Sequence, residues 1–315
     1  MIVTFRRPGS LASVLERLRQ LPIDEVIVVD NAADPGTAGV IERSGSQARL
    51  VTSDENLGEA GRNPGALEAR GDLLLMLDDD SYPLPGAVER LVAAFQAMPR
   101  LGAAGGMVYD VDARGDVVRS TELGTFDWYL RGGRTGDGPV EGLPAFFFPE
   151  GASMIRREAY LEAGGFFPPY LLGRVMGLDL SARLLARGWD VRYVPDAGFH
   201  HSKDQSGRPS TALALRRGVR NQLWYLWLRL PGPVAARRIP AYLVYDLIEC
   251  VYHGAPSAWM GGILDAWRDR DAVRPHRDPV PGHLVARVEM NRGRMHARQL
   301  VGQLRKRLAA LRRDR

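Results

Sequence analysis

"GDLLLMLDDDSYPLPGA", residues 71–87, decides the reading of the fold. Five apolar residues, Leu73 to Leu77, run without a break into three carboxylates, Asp78, Asp79 and Asp80, and the chain then turns through Pro83 and Pro85. A short apolar run closed by turn residues reads as a strand buried on both faces, the kind that parallel sheets contain. Ligands of such sheets sit beyond the carboxyl ends of the strands, so the acid run is expected at a site. Adjacent carboxylates repel one another, and a fold keeps three of them only with a cation, with protonation or with ample water. A divalent metal is the simplest of these, because Mg²⁺ and Mn²⁺ take oxygen ligands and commonly bridge one or two carboxylates to the phosphates of a substrate.

The segments on either side extend the same pattern. Residues Ile2 to Phe5 read as a short strand, Leu11 to Leu21 carry apolar residues at helical spacing, and "EVIVVDN" (25–31) is a second strand ending in Asp30 and Asn31. A second unit starts at "ARLVTS" (48–53), passes through the polar loop "DENLGEAGRN" and a helix around Pro64 to Ala69, and reaches the Leu73–Leu77 strand. A helix from about Gly86 to Met98 and a strand near Ala103 to Tyr109 follow. Such alternation predicts an α/β fold with a mainly parallel sheet and helices on both faces. Asp30 and the acid run then face one crevice.

Residues 115–149 are rich in glycine and aromatics without a sustained period, and read as a long loop or hairpin region over the strand ends. "GASMIRREAYLEAGGF" (151–166) gives a strand and a helix, "GLDLSARLLARGW" (177–189) an amphipathic helix, and "DVRYVPDAGFHH" (190–201) a strand running into His200 and His201. Beyond about Ser210 the pattern is helical, with a basic helix closing the chain.

Composition narrows the class. With 315 residues and 45% hydrophobic content the chain can bury a large core. Its single cysteine, Cys250, excludes an intramolecular disulfide and any multi-cysteine metal site, and fits a reducing, cytoplasmic setting. No stretch approaches the roughly 18 apolar residues of a membrane-spanning helix, and the first residues lack the apolar core of a signal peptide. The formal charge of +5 is uneven, since the tail "RKRLAALRRDR" (305–315) is strongly basic. That tail reads as a solvated helix end or as a peripheral contact with the inner face of the membrane, and no nucleic-acid partner is expected.

Five stretches, "VTFRRPGSLASVLERLRQLP", "EVIVVDNAAD", "ENLGEAGRNPGALEARGDLLLMLDDDSYPLPGA", "GASMIRREAYLEAGGF" and "GWDVRYVPDAGFHH", together resemble family 2 glycosyltransferases of the GT-A fold, in their usual order and over roughly residues 1–230. The resemblance implies transfer of a sugar from a nucleoside diphosphate sugar donor, with inversion and the help of Mn²⁺ or Mg²⁺. The acceptor would be an envelope polysaccharide, a lipid-linked glycan or a small molecule. It also implies a GT-A catalytic domain over 1–210, with nucleotide-sugar binding in 1–110 and the acceptor side in 111–210, followed by a helical extension over 211–315.

Residue by residue, the resemblance places Thr4, Arg6 and Asp30 on the nucleoside, and Asn56, Gly58, Arg62 and Asn63 in the nucleotide-binding loop. Arg62 and Asn63 have a second reading as the cap of the helix that follows them. Asp78 and Asp80 match the outer acids of a DxD motif, with Asp79 between them. Asp78 is expected near the ribose, and Asp80 on the metal with His201 as a further ligand. Where the family carries an acidic pair that takes the proton from the acceptor hydroxyl, this sequence has Met176 and Gly177. Asp179 is the first candidate for the base and Glu150, in "FPEG", the second. The missing pair leaves open a nucleotide-sugar-binding protein without turnover. A receiver domain is excluded by length, and a phosphohydrolase of the aspartyl-phosphate type by the first strand, which ends in "TFRRP".

Overall fold

The computed structural model describes residues 1–112, 114–120, 140–171, 175–202 and 209–289. The chain begins β1 (Ile2–Thr4), α1 (Pro8–Leu18), β2 (Ile27–Asp30), α2 (Pro35–Arg43), β3 (Arg49–Thr52), α3 (Arg62–Glu68) and β4 (Leu73–Asp78). It continues through β5 (Ser81–Pro83), α4 (Ala87–Ala97), β6 (Leu101–Val111), β7 (Val117–Ser120), β8 (Leu143–Pro144), β9 (Ala152–Arg156), α5 (Arg157–Glu162), α6 (Met176–Ala186) and β10 (Asp190–His201). Five helices follow: α7 (Thr211–Arg229), α8 (Gly232–Tyr252), α9 (Pro256–Arg268), α10 (Arg270–Val273) and α11 (Gly282–Glu289). Parts of the expected loop over 115–149, and the expected closing helix, lie outside the described residues.

Among the described residues, all ten strands belong to one sheet, ordered β3-β2-β1-β4-β9-β6-β10-β5, with β7 on β6 and β8 on β10. The β1, β2, β3 and β4 strands pair in parallel, as do β6 and β10. β9 is inserted antiparallel between β4 and β6, so the sheet is mixed but mostly of one direction. That insertion is the main feature the alternating pattern did not predict. α2 was also not anticipated, although Asp34 caps it by accepting a hydrogen bond from the Gly36 N–H (2.8 Å), with Pro35 in the first turn.

The unbroken apolar run of β4 has a simple physical basis. Leu74 and Met76 pack into the core on one face of the sheet, and Leu75 and Leu77 into the core on the other. On the second face lie Leu11, Val14 and Leu15 of α1 and Val88, Leu91 and Phe95 of α4. The first face is covered by Ala66 of α3, Tyr160 of α5, Leu180 and Leu184 of α6 and residues of α7. A strand covered on both faces needs no polar alternation. Its carboxylates begin where that cover stops.

α7, α8 and α9 pack on one another through a separate small cluster of Leu215, Val219, Cys250 and Ala258. Among the described residues, no helix is long and apolar enough to cross a membrane.

Candidate active site

At the end of β4 the turn is fixed by Ser81, whose hydroxyl accepts from the Asp78 N–H (2.9 Å) and donates to the Gly151 carbonyl (2.6 Å). Asp79 turns inward. Its Oδ2 accepts from the Thr4 hydroxyl of β1 (2.7 Å), and its Oδ1 lies 3.2 Å from the Arg7 guanidinium. Burial pushes the Asp79 carboxyl up to about 7, against the pull of Arg7 and Thr4 and with the repulsion of Asp80 and Asp78 added. Asp80 is also buried, with Oδ2 3.1 Å from Arg7.

β10 ends beside this turn because its last residues pair antiparallel with β5, His201 opposite Ser81 and His200 opposite Tyr82. His201 Nε2 lies 3.4 Å from Asp80 Oδ1, and its Nδ1 lies 3.0 Å from Asp110 Oδ1 at the end of β6. Burial alone would lower the His201 pKa, but the neighbouring carboxylates outweigh it and hold the imidazole above its usual value. One ligand atom each from Asp78, Asp80 and His201 lies within 4.8 Å of the others. Two carboxylates and an imidazole converging at a strand end fit a hard divalent cation that keeps further positions for substrate oxygens.

A cleft opens beside these acids, lined by Thr4, Phe5 and Arg7, by Asn31, by Asn56, Gly58 and Glu59, and by Asp78 and Asp79. The remaining expected residues are distributed around it. Arg62 is fully buried: it pairs with Glu59 and with Asp78 (2.6 Å) and donates to the Leu77 carbonyl (2.9 Å), so it fixes the acids from beneath. Asn63 ties α3 to the loop after α5, accepting from the Tyr160 hydroxyl (2.6 Å) and the Phe166 N–H (2.9 Å). Asn56 accepts from the Gly58 N–H (2.9 Å), and Gly58 takes a φ of 56° that a side chain would resist. Asp30 is fully buried and caps its own loop, accepting from the Ala32 and Asp34 N–H groups (2.9 Å each). Asn31, not Asp30, faces the cleft from this loop. Arg6 is exposed, with its guanidinium over the Phe5 ring, while its neighbour Arg7 reaches the acids.

The two candidate bases stand in opposite environments. Asp179 is fully buried. Its Oδ1 accepts from Arg229 of α7 (2.6 Å) and the Tyr170 hydroxyl (3.0 Å), and its Oδ2 from Arg183 (2.8 Å). Burial would raise its carboxyl, but the two guanidiniums outweigh it and hold the group below the usual carboxylate range. Glu150 is half-buried just before β9, and its Oε1 accepts from the Gly177 N–H (2.7 Å). A Cβ on Gly177 would stand 2.8 Å from that same oxygen, so the Glu150 carboxyl occupies the space that a side chain at 177 would enter. Burial raises the Glu150 pKa; the Gly177 N–H opposes this and the charge of Asp78 adds to it.

Asp179 thus clamps α6 to α7. Asp179→Asn is expected to cost about 3–5 kcal/mol, because it leaves two buried guanidiniums without their charge partner. Denaturant unfolding reads this as a lowered midpoint at unchanged slope. An unchanged midpoint with lost turnover would instead mark Asp179 as a reacting group.

Four residues near the acids escaped the sequence reading: Arg7, Asn31, Glu59 and Asp110. Asp110 carried a usable signal, an acid at a parallel-strand end, but the strand was read as stopping at Tyr109.

A family model for glycosyl transferase family 2 matches residues 1–164. Over 220 residues, 60% of this chain and 70% of the relative, the sequence is 28% identical to the N-acetylglucosaminyl-diphospho-decaprenol L-rhamnosyltransferase of Mycobacterium tuberculosis. Among solved structures, GalNAc-T7 with UDP, GalNAc and Mn²⁺ matches with a TM-score of 0.62 at 14% identity, covering 87% of this chain and 57% of that one. The mannosyltransferase PcManGT from Pyrobaculum calidifontis, in complex with GDP-Man and Mn²⁺, matches with a TM-score of 0.53 at 17% identity, covering 94% and 82%. At these identities the structural matches speak to the fold. With the family match over more than half the chain and the strand-end acids in a GT-A sheet, the protein belongs to glycosyl transferase family 2.

Proposed function

We propose that the protein transfers a sugar from a nucleoside diphosphate sugar to a hydroxyl of a glycan or lipid-linked glycan acceptor, with inversion at the anomeric carbon. The observation that carries this reading is the convergence of Asp78, Asp80 and His201 beside the cleft that Asp78 lines. These three residues would hold Mn²⁺ or Mg²⁺, which supplies Lewis-acid neutralisation of the charge growing on the diphosphate. The named activity of the mycobacterial relative supports a lipid-linked acceptor, and the ligands named with the two solved structures support a nucleotide-sugar donor with a divalent cation.

The chain's own residues divide the remaining work. Asp110 stands 3.0 Å from His201 Nδ1 and can accept its N–H, which would free Nε2 to join the Asp78 and Asp80 carboxylates on a cation in place of its 3.4 Å contact with Asp80. Arg62 braces Asp78 from below, and a Cβ at Gly151 would collide with the Asp78 carboxylate, so that position stays glycine. Arg7 lines the cleft as a cation and offers a planar donor face to an anionic diphosphate. Thr4, Asn31, Asn56 and Gly58 form the surface for the nucleoside.

For the proton, the arrangement favours Glu150 over Asp179. Glu150 has one carboxylate oxygen on the Gly177 N–H and a pKa raised by burial, with the nearby charge of Asp78 adding to it, whereas both oxygens of Asp179 are already engaged by arginines. In an inverting displacement the acceptor oxygen bonds to the anomeric carbon, its proton passes to the Glu150 carboxylate, and the bond to the diphosphate oxygen breaks. The domain division at about residue 210 is part of the same reading.

A thermal-shift panel of nucleoside diphosphates with and without Mn²⁺ tests the donor reading. One base is expected to raise Tm, and to do so more with Mn²⁺ than with chelator. If no nucleoside diphosphate stabilises the protein, the donor site is not this cleft. If one does but no acceptor is ever glycosylated, the protein is a nucleotide-sugar binder without turnover.

A further inference from the structure

Both carboxylates of the convergence already carry an arginine, and the two arginines are held differently. Arg62 meets Asp78 from within the core: its side chain has no exposure, and Glu59, Asp78 and the Leu77 carbonyl fix it together. Arg7 meets Asp80 from the cleft that it lines. Its side chain is 18% exposed, and it reaches Asp80 Oδ2 (3.1 Å) and Asp79 Oδ1 (3.2 Å) through one nitrogen, Nη1. Its Nε has no hydrogen-bond partner among the described residues. A guanidinium fixed at three points in a packed interior stays where it is. One held through a single nitrogen on a cleft wall can turn to another anion without unpacking the core.

The local backbone explains why Arg7 stands here. β1 pairs with β4 so that Val3 lies opposite Asp78, and the chain then turns through Arg6 at a φ of 55° before Arg7 caps the start of α1. Asp80 is thereby engaged at both oxygens, Oδ2 by Arg7 and Oδ1 by His201 (3.4 Å). Against a cation alone, the Arg7 guanidinium competes for the carboxylate and adds like-charge repulsion at close range. A nucleoside diphosphate changes that balance, because its oxygens give the guanidinium a charge-assisted partner and give a cation further ligands.

We propose that Arg7 is an exchangeable counter-ion: it rests on Asp79 and Asp80 in the donor-free protein and turns onto the diphosphate when a donor binds, so that cation and nucleotide bind together rather than independently. The inference rests on the donor and metal reading above and adds the group that couples the two. Such coupling is reciprocal, so nucleotide raises cation affinity by the same factor as cation raises nucleotide affinity.

The test uses the full chain in two measurements. In the first, Mn²⁺ is titrated without nucleotide and free Mn²⁺ is followed by electron paramagnetic resonance. Arg7→Gln, which removes the charge but keeps a donor for the acids, should bind Mn²⁺ alone about tenfold or more tightly than wild type. Arg7→Met is a second charge-free variant with the same expectation, Arg7→Lys should stay as weak as wild type, and adding Asp80→Ala to Arg7→Gln should remove the gain. In the second, the Tm shift from the nucleoside diphosphate panel is compared with Mn²⁺ and with chelator, and the Mn²⁺-dependent increment should shrink in Arg7→Gln. Mn²⁺ affinity no tighter in either charge-free variant, or an unchanged increment, would overturn the role of Arg7 while leaving the donor reading intact. If wild type itself shows no Mn²⁺-dependent nucleotide stabilisation, the metal reading fails and the inference falls with it.

Discussion

Asp80→Ala is expected to abolish the Mn²⁺-dependent part of nucleotide stabilisation and to lower turnover by about 10³-fold or more, the loss of several kcal/mol of charge neutralisation. Asp80 is the acid that stands between Arg7 and His201, so its removal dismantles the convergence of two carboxylates and an imidazole. The unliganded fold should survive. Arg7 keeps its contact with Asp79, and three adjacent acids become two, which relieves repulsion at the strand end. The variant should therefore melt near wild type without ligand, and a Tm shift with Mn²⁺ equal to that of wild type would remove Asp80 from the metal site.

Glu150→Gln is expected to leave donor binding near wild type and to lower turnover by roughly 10²- to 10⁴-fold, the usual worth of a general base. Glutamine keeps the size of the side chain and an oxygen for the Gly177 N–H, but it cannot take a proton at neutral pH. The pH profile carries the same assignment. A carboxylate works as base only when ionised, so turnover falls as pH drops through the Glu150 pKa. Because burial and the charge of Asp78 raise that pKa, the acid limb should lie above the ordinary glutamate range, and it should vanish from the residual activity of Glu150→Gln. Full activity in Glu150→Gln would exclude it as base.

The contrast between the two acids shows why the sequence ranked them differently. By spacing, Asp179 lay in the first turn of a helix near the site and Glu150 lay in an unpatterned stretch. The three groups that saturate Asp179 are Arg183 one turn on, Tyr170 in the preceding loop and Arg229 fifty residues away. The last of these is invisible to local pattern. Asp30 is a similar case: its place at a strand end was legible, but its engagement by two backbone N–H groups of its own loop was not.

The sequence by itself determined the sheet strands that are buried on both faces, because burial leaves a direct mark in the run of side chains. Leu73 to Leu77 had to be a covered strand, residues 190–201 form β10 at the bounds read from their pattern, and the acids had to begin where apolar cover ended. Tertiary structure alone decided which groups meet. His201 reaches Asp80 across 121 residues only because β10 pairs antiparallel with β5 in a register that sets His201 opposite Ser81, and a shift of one residue would turn it to the other face. Glu150 fills the space beside Gly177 only because β9 enters the sheet next to β4 and carries residue 150 to the strand-end acids. Periodicity encodes burial, a property of each residue against its own neighbours. The pairing of two distant side chains depends on register and packing, which no single segment contains.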